Sequence, residues 1–280
     1  MSRSGSLGQY FTPRPVVEFA LDALELLGVP ISGARAVDPA CGPGEWLRAA
    51  LARGAEFVTG ADCDPAMSSS WREGCLDVHP QCRLIVADGL LPHALPAASF
   101  DIAMGNPPFG GKLPDAREET LRLLARTYEL LYAPAPRRLL HEPSTRDLRQ
   151  LLRFPVELLF LERFVTLCRP GGAVAIILPE GVLSNARWRR VRAWLLQRVT
   201  LHAVVGLPRE TFGGQYTRAK TCLLLARNHP SLANHRVALC EVASCDERTF
   251  EALLAAMERR EEILAGAPPG LLPPPALRPQ

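Results

Sequence analysis

The chain has 280 residues, 48% of them hydrophobic, so it is long enough to bury a large core. It contains no run of about 18 or more apolar residues and no signal-type segment near its start, which predicts a soluble, cytoplasmic protein. Eight irregularly spaced cysteines favour reduced thiols over a disulfide framework, and a net charge of +3 excludes a polycation, so any nucleic-acid surface must be a local patch.

Apolar runs and amphipathic patterns alternate along most of the chain, which is typical of a parallel sheet covered by helices on both faces. The first half is predicted to contain helices at 16–27 and 45–52 and strands at 34–37, 56–61, 84–87 and 100–104. The second half is predicted to contain helices at 155–168, 186–198 and 246–263, strands at 173–178, 201–206 and 221–226, and an edge strand at 236–242.

The stretch 110–154 interrupts this alternation with one helical pattern at 116–131, several prolines and a cluster of arginines. We interpret residues 111–153 as a lobe inserted into a single domain that spans residues 1–265, and the proline-rich residues 266–280 as a flexible tail.

A second arginine group lies in the helix predicted at 186–198. The apolar stripe of that helix is Trp188, Val191 and Leu195, so most of its arginines are expected on a solvated face; the alternative is that they contact phosphates.

A glycine-containing turn, Asp38-Pro39-Ala40-Cys41-Gly42-Pro43-Gly44, follows the first predicted strand and precedes a helix. Glycines let the backbone approach a ligand closely, and the start of a helix offers free N–H groups. The turn does not match a nicotinamide fingerprint, because Leu47 stands where the third glycine is required. An acid before the turn suits a ligand with an ammonium or sulfonium group, such as S-adenosylmethionine. The residues expected to contact this cofactor here are Asp38, Ala40, Cys41, Gly42 and Gly44.

Polar residues are expected at the carboxyl ends of the next three strands, and in doubly wound sheets ligands bind at this edge. Asp62 is placed to accept hydrogen bonds from ribose hydroxyls, and Asp88 is placed to accept one from an adenine amino group. Aspartate and glycine are also ordinary turn formers at such positions. The order in which they occur favours a cofactor site, and Asn106 completes the set.

The fourth predicted strand leads into Asn106-Pro107-Pro108-Phe109, which we predict to be the catalytic residues. The amino nitrogen of adenine is a poor nucleophile because its lone pair is delocalised into the ring. Acceptors aimed at its hydrogens draw it toward tetrahedral geometry, and the Asn106 side-chain oxygen and the Pro107 carbonyl are suitable, with proline rings restricting the backbone. Phe109 is suited to stacking on a flipped base; the alternative is a core aromatic beside a proline turn.

These motifs together resemble those of the adenine-N6 DNA methyltransferases, in particular the catalytic domain of type I restriction-modification methylation subunits. The resemblance runs from Gly8 to Arg227. Besides the two motifs above it includes Gly8–Arg14, Leu178–Leu183, Val205–Pro208 with Phe212, and Lys220-Thr221.

The resemblance implies a fold of the class I S-adenosylmethionine-dependent methyltransferase type, a doubly wound, mostly parallel seven-stranded sheet with an inserted helical lobe. It implies S-adenosylmethionine as cofactor and DNA as substrate. No metal is expected, because the tightest Cys/His group, Cys75, His79 and Cys82, supplies only three ligands and lacks a paired half-site. The resemblance also implies that an N-terminal segment folds over the methionine end of the cofactor. The cofactor-binding residues of that segment are Gln9, Tyr10, Phe11, Thr12, Pro13 and Arg14.

Several features depart from the family pattern. Pro43, Glu45 and Trp46 replace small residues around the glycine turn, and Glu45 adds negative charge there. Neither the N-terminal helical domain nor a target-recognition domain of type I subunits is recognisable, so sequence choice is expected to come from the inserted lobe or from a partner, or to be absent. The candidate partner is a separate specificity subunit or nuclease. Two alternatives remain open: a methyltransferase for a protein glutamine or an RNA base, and a non-catalytic module that binds cofactor or DNA.

Overall fold

The computed structural model describes residues 11–111, 113, 117–132, 142–212, 220–231 and 235–266. The strands in this part of the chain are β1 (Arg35–Asp38), β2 (Phe57–Asp62), β3 (Cys82–Val86), β4 (Phe100–Gly105), β5 (Cys168–Pro179), β6 (Thr200–Leu207), β7 (Thr221–Arg227) and β8 (Ala238–Glu241). The α-helices are α1 (Arg14–Leu26), α2 (Glu45–Ala52), α3 (Met67–Glu73), α4 (Glu118–Thr127), α5 (Thr145–Leu151), α6 (Val156–Leu167), α7 (Gly181–Ser184), α8 (Arg189–Arg198) and α9 (Glu247–Gly266).

All these strands form one sheet in the order β3-β2-β1-β4-β5-β7-β6-β8. Strand β7 runs antiparallel to both of its neighbours, and the other pairs are parallel. The predicted doubly wound, mostly parallel sheet is therefore confirmed, and the edge strand predicted at 236–242 is also present, which adds one strand to the seven that the resemblance implied. The described chain has eight, because β8 pairs in parallel with β6 at the edge of the sheet.

The chain order of the strands reverses direction between β1 and β4, where Ala36 pairs with Ile102. The crossovers of β1 and β4 therefore leave this point toward opposite sides. Ligands of doubly wound sheets bind at the carboxyl ends of the strands at such a switch point. The glycine turn follows β1 and Asn106 follows β4, so both predicted motifs lie at this position.

Both faces of the sheet are buried at its centre, and the side chains of β5 show why its sequence is continuously apolar from Ala173 to Leu178. Ala173, Ala175 and Ile177 pack on one face with α1, α2, α3 and α9. The alternate residues Val174, Ile176 and Leu178 pack on the other face with α4, α5, α6 and α8. Side chains on a strand alternate between faces, so a strand covered on both sides has no polar position.

The predicted helices and strands are present, with shifted ends. The helix expected at 116–131 is shorter than predicted: α4 ends at Thr127, where Tyr128 adopts an extended conformation (φ −97°, ψ 120°). Three short helices, α3, α5 and α7, were not predicted, because each has fewer than two full amphipathic turns. No helix in the described residues is long and apolar enough to cross a membrane. The predicted tail lies outside the described residues from position 267 onward.

Candidate active site

The glycine turn connects β1 to α2 in a conformation that requires its glycines. Gly42 (φ +50°) and Gly44 (φ +93°) both adopt left-handed backbone conformations, and Gly44 is the N-cap of α2. A Cβ atom on Gly44 would also lie 2.4 Å from Leu76 Cδ1. The Cys41 amide donates to the Ala61 carbonyl at 2.9 Å, so the turn is held against the end of β2.

Two side chains that belong to no recognised motif donate hydrogen bonds to carbonyl groups of this turn. Trp71 of α3 is buried, and its Nε1 donates to the Gly42 carbonyl at 2.7 Å. Arg48 of α2 donates from both terminal nitrogens to the Pro43 carbonyl, at 2.7 and 2.8 Å. The peptide groups of the turn are therefore oriented before any ligand binds. No signal in the sequence singled out Trp71, because α3 was not predicted.

Asp62 lies at the end of β2, as predicted, and is 7% exposed. Its Oδ2 accepts from the Gly42 amide at 2.9 Å, and its Oδ1 accepts from the Asp64 amide at 2.9 Å. Burial raises the pKa of Asp62, while these two amide donors oppose the shift. The carboxylate thus joins β2 to the glycine turn, and each of its oxygens keeps a second lone pair available to a ligand.

Asp88 lies beyond the end of β3, which stops at Val86, rather than ending the strand as predicted. It is half-buried, and its Oδ1 accepts from the Leu90 amide at 3.0 Å. Burial raises the pKa of Asp88, and the Leu90 amide opposes the shift. The next residue, Gly89, packs directly on the glycine turn: a Cβ atom there would lie 1.9 Å from the Pro39 carbonyl oxygen. The β3 loop and the β1 turn therefore meet backbone to backbone.

A buried arginine on α6 holds the loop that carries Asp88. Arg163 is 2% exposed; its Nε donates to the Gly89 carbonyl at 2.8 Å, and one terminal nitrogen donates to the carbonyls of Leu91 (3.1 Å) and Leu95 (2.8 Å). Burial lowers the pKa of Arg163, with the charge of Asp88 among the opposing effects. Burying a guanidinium is costly, and these three carbonyls, which accept from two of its three nitrogens, offset part of that cost.

The neighbouring residue of α6 attaches the inserted lobe. The buried Glu162 carboxylate accepts from the Glu129 amide at 2.7 Å and from the Leu130 amide at 2.9 Å. Burial raises the pKa of Glu162 to about 7, against the effect of these two amide donors. Tyr128, just after α4, donates its hydroxyl to the Leu90 carbonyl at 2.5 Å. The lobe and the Asp88 loop therefore share one buried hydrogen-bonded framework.

Asp38 and Gly105 place the ends of β1 and β4 in direct contact. Asp38 is 1% exposed, and its Oδ1 accepts from the Ala40 amide at 2.9 Å. A Cβ atom on Gly105 would lie 2.6 to 2.8 Å from the three carboxyl atoms of Asp38, so only glycine leaves room for this carboxyl group. Burial raises the pKa of Asp38 to about 8; the charge of Asp62 adds to the shift and the Ala40 amide opposes it.

The Asn106–Phe109 loop begins immediately after this contact. Asn106 is half-buried with its side-chain oxygen shielded from solvent, and Pro107 is buried. Phe109 is 6% exposed and meets Phe212 edge to face, with ring centroids 6.1 Å apart at 74°. The loop continues to Gly110, whose amide donates to Glu157 Oε2 of α6 at 3.3 Å. Helix α6 therefore supports the site on both sides of the switch point.

The N-terminal segment is described only from Phe11 onward, so Gln9 and Tyr10 lie outside the described residues. Phe11 is 61% exposed, whereas Thr12 is buried and its hydroxyl accepts from Trp46 Nε1 at 3.2 Å. Pro13 and Arg14 begin α1, and Arg14 pairs with Glu18 at 3.3 Å. Trp46, which departs from the family pattern, therefore joins this segment to α2 beside the glycine turn.

The structure thus places the glycine turn, Asp62, Asp88 and Asn106 at the same carboxyl edge of the sheet, joined by the Gly42–Asp62, Gly89–Pro39 and Gly105–Asp38 contacts. Buried or half-buried carboxyl groups at Asp38, Asp62 and Asp88 beside a glycine turn that leads into a helix suit a ligand with a cationic group, a ribose and an amino-substituted base. The described residues contain no group of three or more His, Cys, Asp or Glu able to hold a metal ion.

One family model matches more than half of the chain. The model of the N-6 DNA Methylase family matches residues 79–253, more than half of the 280 residues, including Asp88 and Asn106. The chain belongs to the N-6 DNA methylase family. The resemblance drawn from the sequence motifs is confirmed.

Curated relatives of this methylase family member are distant and mostly much longer. Defense against restriction protein B of Escherichia phage P1 is 24% identical over 236 residues, which are 84% of this chain and 9% of the relative. The EcoEI type I restriction enzyme methylase subunit of Escherichia coli is 24% identical over 243 residues, 80% of this chain and 43% of the relative. The type II methyltransferase M.TthHB8I of Thermus thermophilus is 37% identical over 108 residues, 38% of this chain and 22% of the relative. The chain spans less than half of each.

Solved structures share the fold. The type I restriction-modification methyltransferase subunit from Streptococcus thermophilus has a TM-score of 0.63 at 20% identity, covering 92% of this chain and 57% of that one. A Listeria monocytogenes protein assigned to the class I S-adenosylmethionine-dependent methyltransferases has a TM-score of 0.64 at 20% identity, covering 92% and 72%. The methylase domain therefore has the class I methyltransferase fold that the sequence predicted.

Proposed function

We propose that this protein transfers a methyl group from S-adenosylmethionine to the exocyclic N6 of a flipped-out adenine in DNA. The observation that carries the proposal is the position of Asn106-Pro107-Pro108-Phe109: it begins at the switch point, one residue after the contact between Gly105 and Asp38. Membership of the N-6 DNA methylase family supports DNA methylation as the activity.

The cofactor would be held by residues on three neighbouring strand ends. Asp38 would attract the ammonium and sulfonium end, Asp62 would accept from the ribose hydroxyls, and Asp88 would accept from the adenine amino group of the cofactor. The amides of the glycine turn and of the α2 start would face the carboxylate. S-adenosylmethionine supplies a methyl group already activated by a sulfonium, so transfer depends on positioning more than on a strong base.

The target amine would be polarised by two acceptors on the catalytic loop. The Asn106 side-chain oxygen and the Pro107 carbonyl would accept its two hydrogens and draw the nitrogen toward tetrahedral geometry. Phe109 would stack on the flipped base. Because Phe109 is 6% exposed and packs on Phe212, stacking requires these two rings to separate when DNA binds. Unstacking the base costs a few kcal/mol, offset in part by stacking worth about 1–3 kcal/mol.

We expect Asp62→Ala to weaken cofactor binding roughly 10- to 100-fold, because a hydrogen bond to a charged group contributes about 1.5–3 kcal/mol. The turnover rate at saturating cofactor should change only a few-fold, since Asp62 does not reach the target base. The matched control is Asp64→Ala, which removes a carboxylate that, among the described residues, accepts only from the Ala66 amide in the same loop. Equal affinity of the Asp62→Ala and Asp64→Ala proteins, measured by calorimetry, would refute this role.

We expect cofactor affinity to depend on pH through Asp38. Because burial raises the pKa of Asp38 to about 8, this group is mostly protonated at pH 7 without ligand, and a cationic ligand must displace that proton. The dissociation constant should therefore rise close to tenfold for each unit of pH lowered below about 7. Calorimetry in buffers of different ionisation heat should show one proton released. A constant affinity from about pH 6 to 8 would contradict the proposed contact.

The activity is tested by methyl incorporation into DNA from labelled cofactor, followed by digestion and identification of N6-methyladenine. Transfer to an RNA base or to a glutamine peptide, with none to DNA, would replace the proposal with the first alternative. Cofactor binding with no transfer to any of these substrates would favour a non-catalytic module.

We further propose that target choice requires a separate specificity subunit, because one relative is the methylase subunit of a type I restriction enzyme.

A further inference from the structure

A groove of about 720 Å³ lies between the inserted lobe and the helix pair that follows β5. One wall is α5 with the residues after it, which present Arg146, Arg149 and Arg153. The opposite wall presents Arg187 and Arg190. All five guanidinium groups belong to exposed residues, so the groove is a local basic surface on a molecule whose net charge is only +3.

Four of the five arginines have no carboxylate partner in the part of the chain that the structure describes. Arg146, Arg149, Arg153 and Arg187 form no ion pair with any carboxylate in the described residues. Asp147, the acidic residue of α5, accepts a hydrogen bond from the Ser144 amide at 2.8 Å as part of the N-terminal capping box of that helix. Clustered arginines without acidic partners create a positive potential that attracts phosphates.

Aromatic side chains lie between the arginines. Phe154 and Trp188 come from opposite walls and meet edge to face, with ring centroids 6.1 Å apart at 77°. The Arg187 guanidinium lies 4.6 Å from the ring centroid of Trp188. Both aromatic residues are half-buried, which leaves part of each ring open to the groove. Interleaved arginines and partly exposed aromatics are typical of surfaces that bind a nucleic-acid strand through its phosphates and bases.

The groove is next to the catalytic loop. Glu157 accepts a hydrogen bond from the Gly110 amide, just after the catalytic loop. Phe154 of the groove lies three residues before Glu157, and three residues span at most about 11 Å. A Cβ atom on Gly111 would lie 3.5 Å from Val156, so the loop contacts the start of α6 itself. The second wall follows the carboxyl end of β5, the strand that neighbours β4. Both walls therefore extend from the sheet edge that carries Asn106.

We propose that this groove binds the phosphates of the DNA strand beside the flipped adenine, with Trp188 and Phe154 contacting an adjacent base. The inference rests on the proposed function for the choice of DNA as the ligand. It assigns the inserted lobe a task of its own: to hold the strand in register with the catalytic loop. The contact is to phosphates, so it is independent of base sequence.

The test is the salt dependence of DNA binding, measured by fluorescence anisotropy on a short duplex with one unpaired adenine. Each phosphate that a protein neutralises contributes about 0.9 to the slope of log affinity against log salt concentration. The triple variant Arg146→Gln/Arg149→Gln/Arg153→Gln should lower that slope by about two to three and weaken binding roughly tenfold or more. Trp188→Leu should weaken binding several-fold and leave the slope unchanged, because it removes stacking and no charge.

The matched control is Arg83→Gln/Arg248→Gln/Arg259→Gln, which removes three exposed arginines located on β3 and α9. If the two triple variants have the same slope, or if the wild-type protein does not bind the duplex, the groove inference is wrong. If DNA is methylated equally well by both triple variants, the inference fails and the proposed function stands. If the groove variant alone loses salt-dependent binding while no protein transfers methyl groups, the inference stands and the proposed catalysis fails. Tighter binding of the matching RNA through the same arginines would overturn the assignment to DNA.

Discussion

Asn106→Ala is expected to lower the turnover rate of methyl transfer by at least about 10²- to 10³-fold, the usual effect of removing one group that stabilises developing charge. The acceptor oxygen of Asn106 is shielded from solvent, so water would replace it poorly after truncation. Cofactor affinity should change only a few-fold, because the carboxyl groups of Asp38 and Asp62 remain. Single-turnover transfer and calorimetric titration of the same preparation separate the two quantities.

The matched variant for this position is Asn106→Asp, which keeps the shape and one acceptor oxygen and loses the amide donors. It should retain more activity than Asn106→Ala if the acceptor is the feature that matters. Thermal unfolding of both variants checks that the loop is not disrupted. Full activity of Asn106→Ala would show that the catalytic assignment is wrong, whatever the outcome for the cofactor site.

Gly89→Ala is expected to weaken cofactor binding at least roughly tenfold and to destabilise the fold by about 1–3 kcal/mol or more, as overpacking does. A Cβ atom at position 89 would lie 1.9 Å from the Pro39 carbonyl oxygen and 2.8 Å from its carbon. Both are backbone atoms, which cannot rotate away as a side chain does. The Asp88 loop must therefore move away from the glycine turn, and Arg163 must lose part of its contact with the Gly89 carbonyl.

The control for Gly89→Ala is Gly181→Ala at the start of α7. An added Cβ there meets nothing within 4 Å, and Gly181 does not adopt a left-handed conformation. Its free energy of unfolding should stay within about 0.5 kcal/mol of the wild-type value. Denaturant unfolding and cofactor titration measure both effects. Equal stability and affinity of the two alanine variants would contradict the close contact between the β3 loop and the β1 turn.

Two of the three departures from the family pattern around the glycine turn have structural explanations. Trp46 is 3% exposed and donates to Thr12, so it belongs to the core that joins the N-terminal segment to α2. Glu45 occupies the first turn of α2, where an acidic side chain interacts favourably with the helix dipole. These two residues stabilise the turn locally. Nothing in the structure explains the proline at position 43, whose contact with Arg48 is through a backbone carbonyl that any residue would supply.

The proposed DNA groove combines arginines from two segments that the sequence could only assess separately. The pattern around Trp188 predicted a solvated arginine face, and the structure confirms that Arg187 and Arg190 are exposed. The arginines of the inserted lobe, Arg146, Arg149 and Arg153, lie more than 30 residues earlier in the chain. Only the packing of α5 opposite the start of α8 places the two sets on facing walls of one groove. Residues from distant segments carry no periodic signal of their proximity.

Short-range sequence patterns were sufficient to predict the order of the secondary-structure elements and two of the motifs. The order of strands and helices, the span of α2, the glycine turn, Asp62 and the Asn106–Phe109 motif were all visible in the sequence, because each is a matter of short-range periodicity, turn chemistry or adjacency. Short-range patterns could not reveal Arg163, Trp71 or the contact between Gly89 and Pro39. Those features join segments far apart in the chain, and they exist only because the sheet order brings β1, β3 and β4 to one edge.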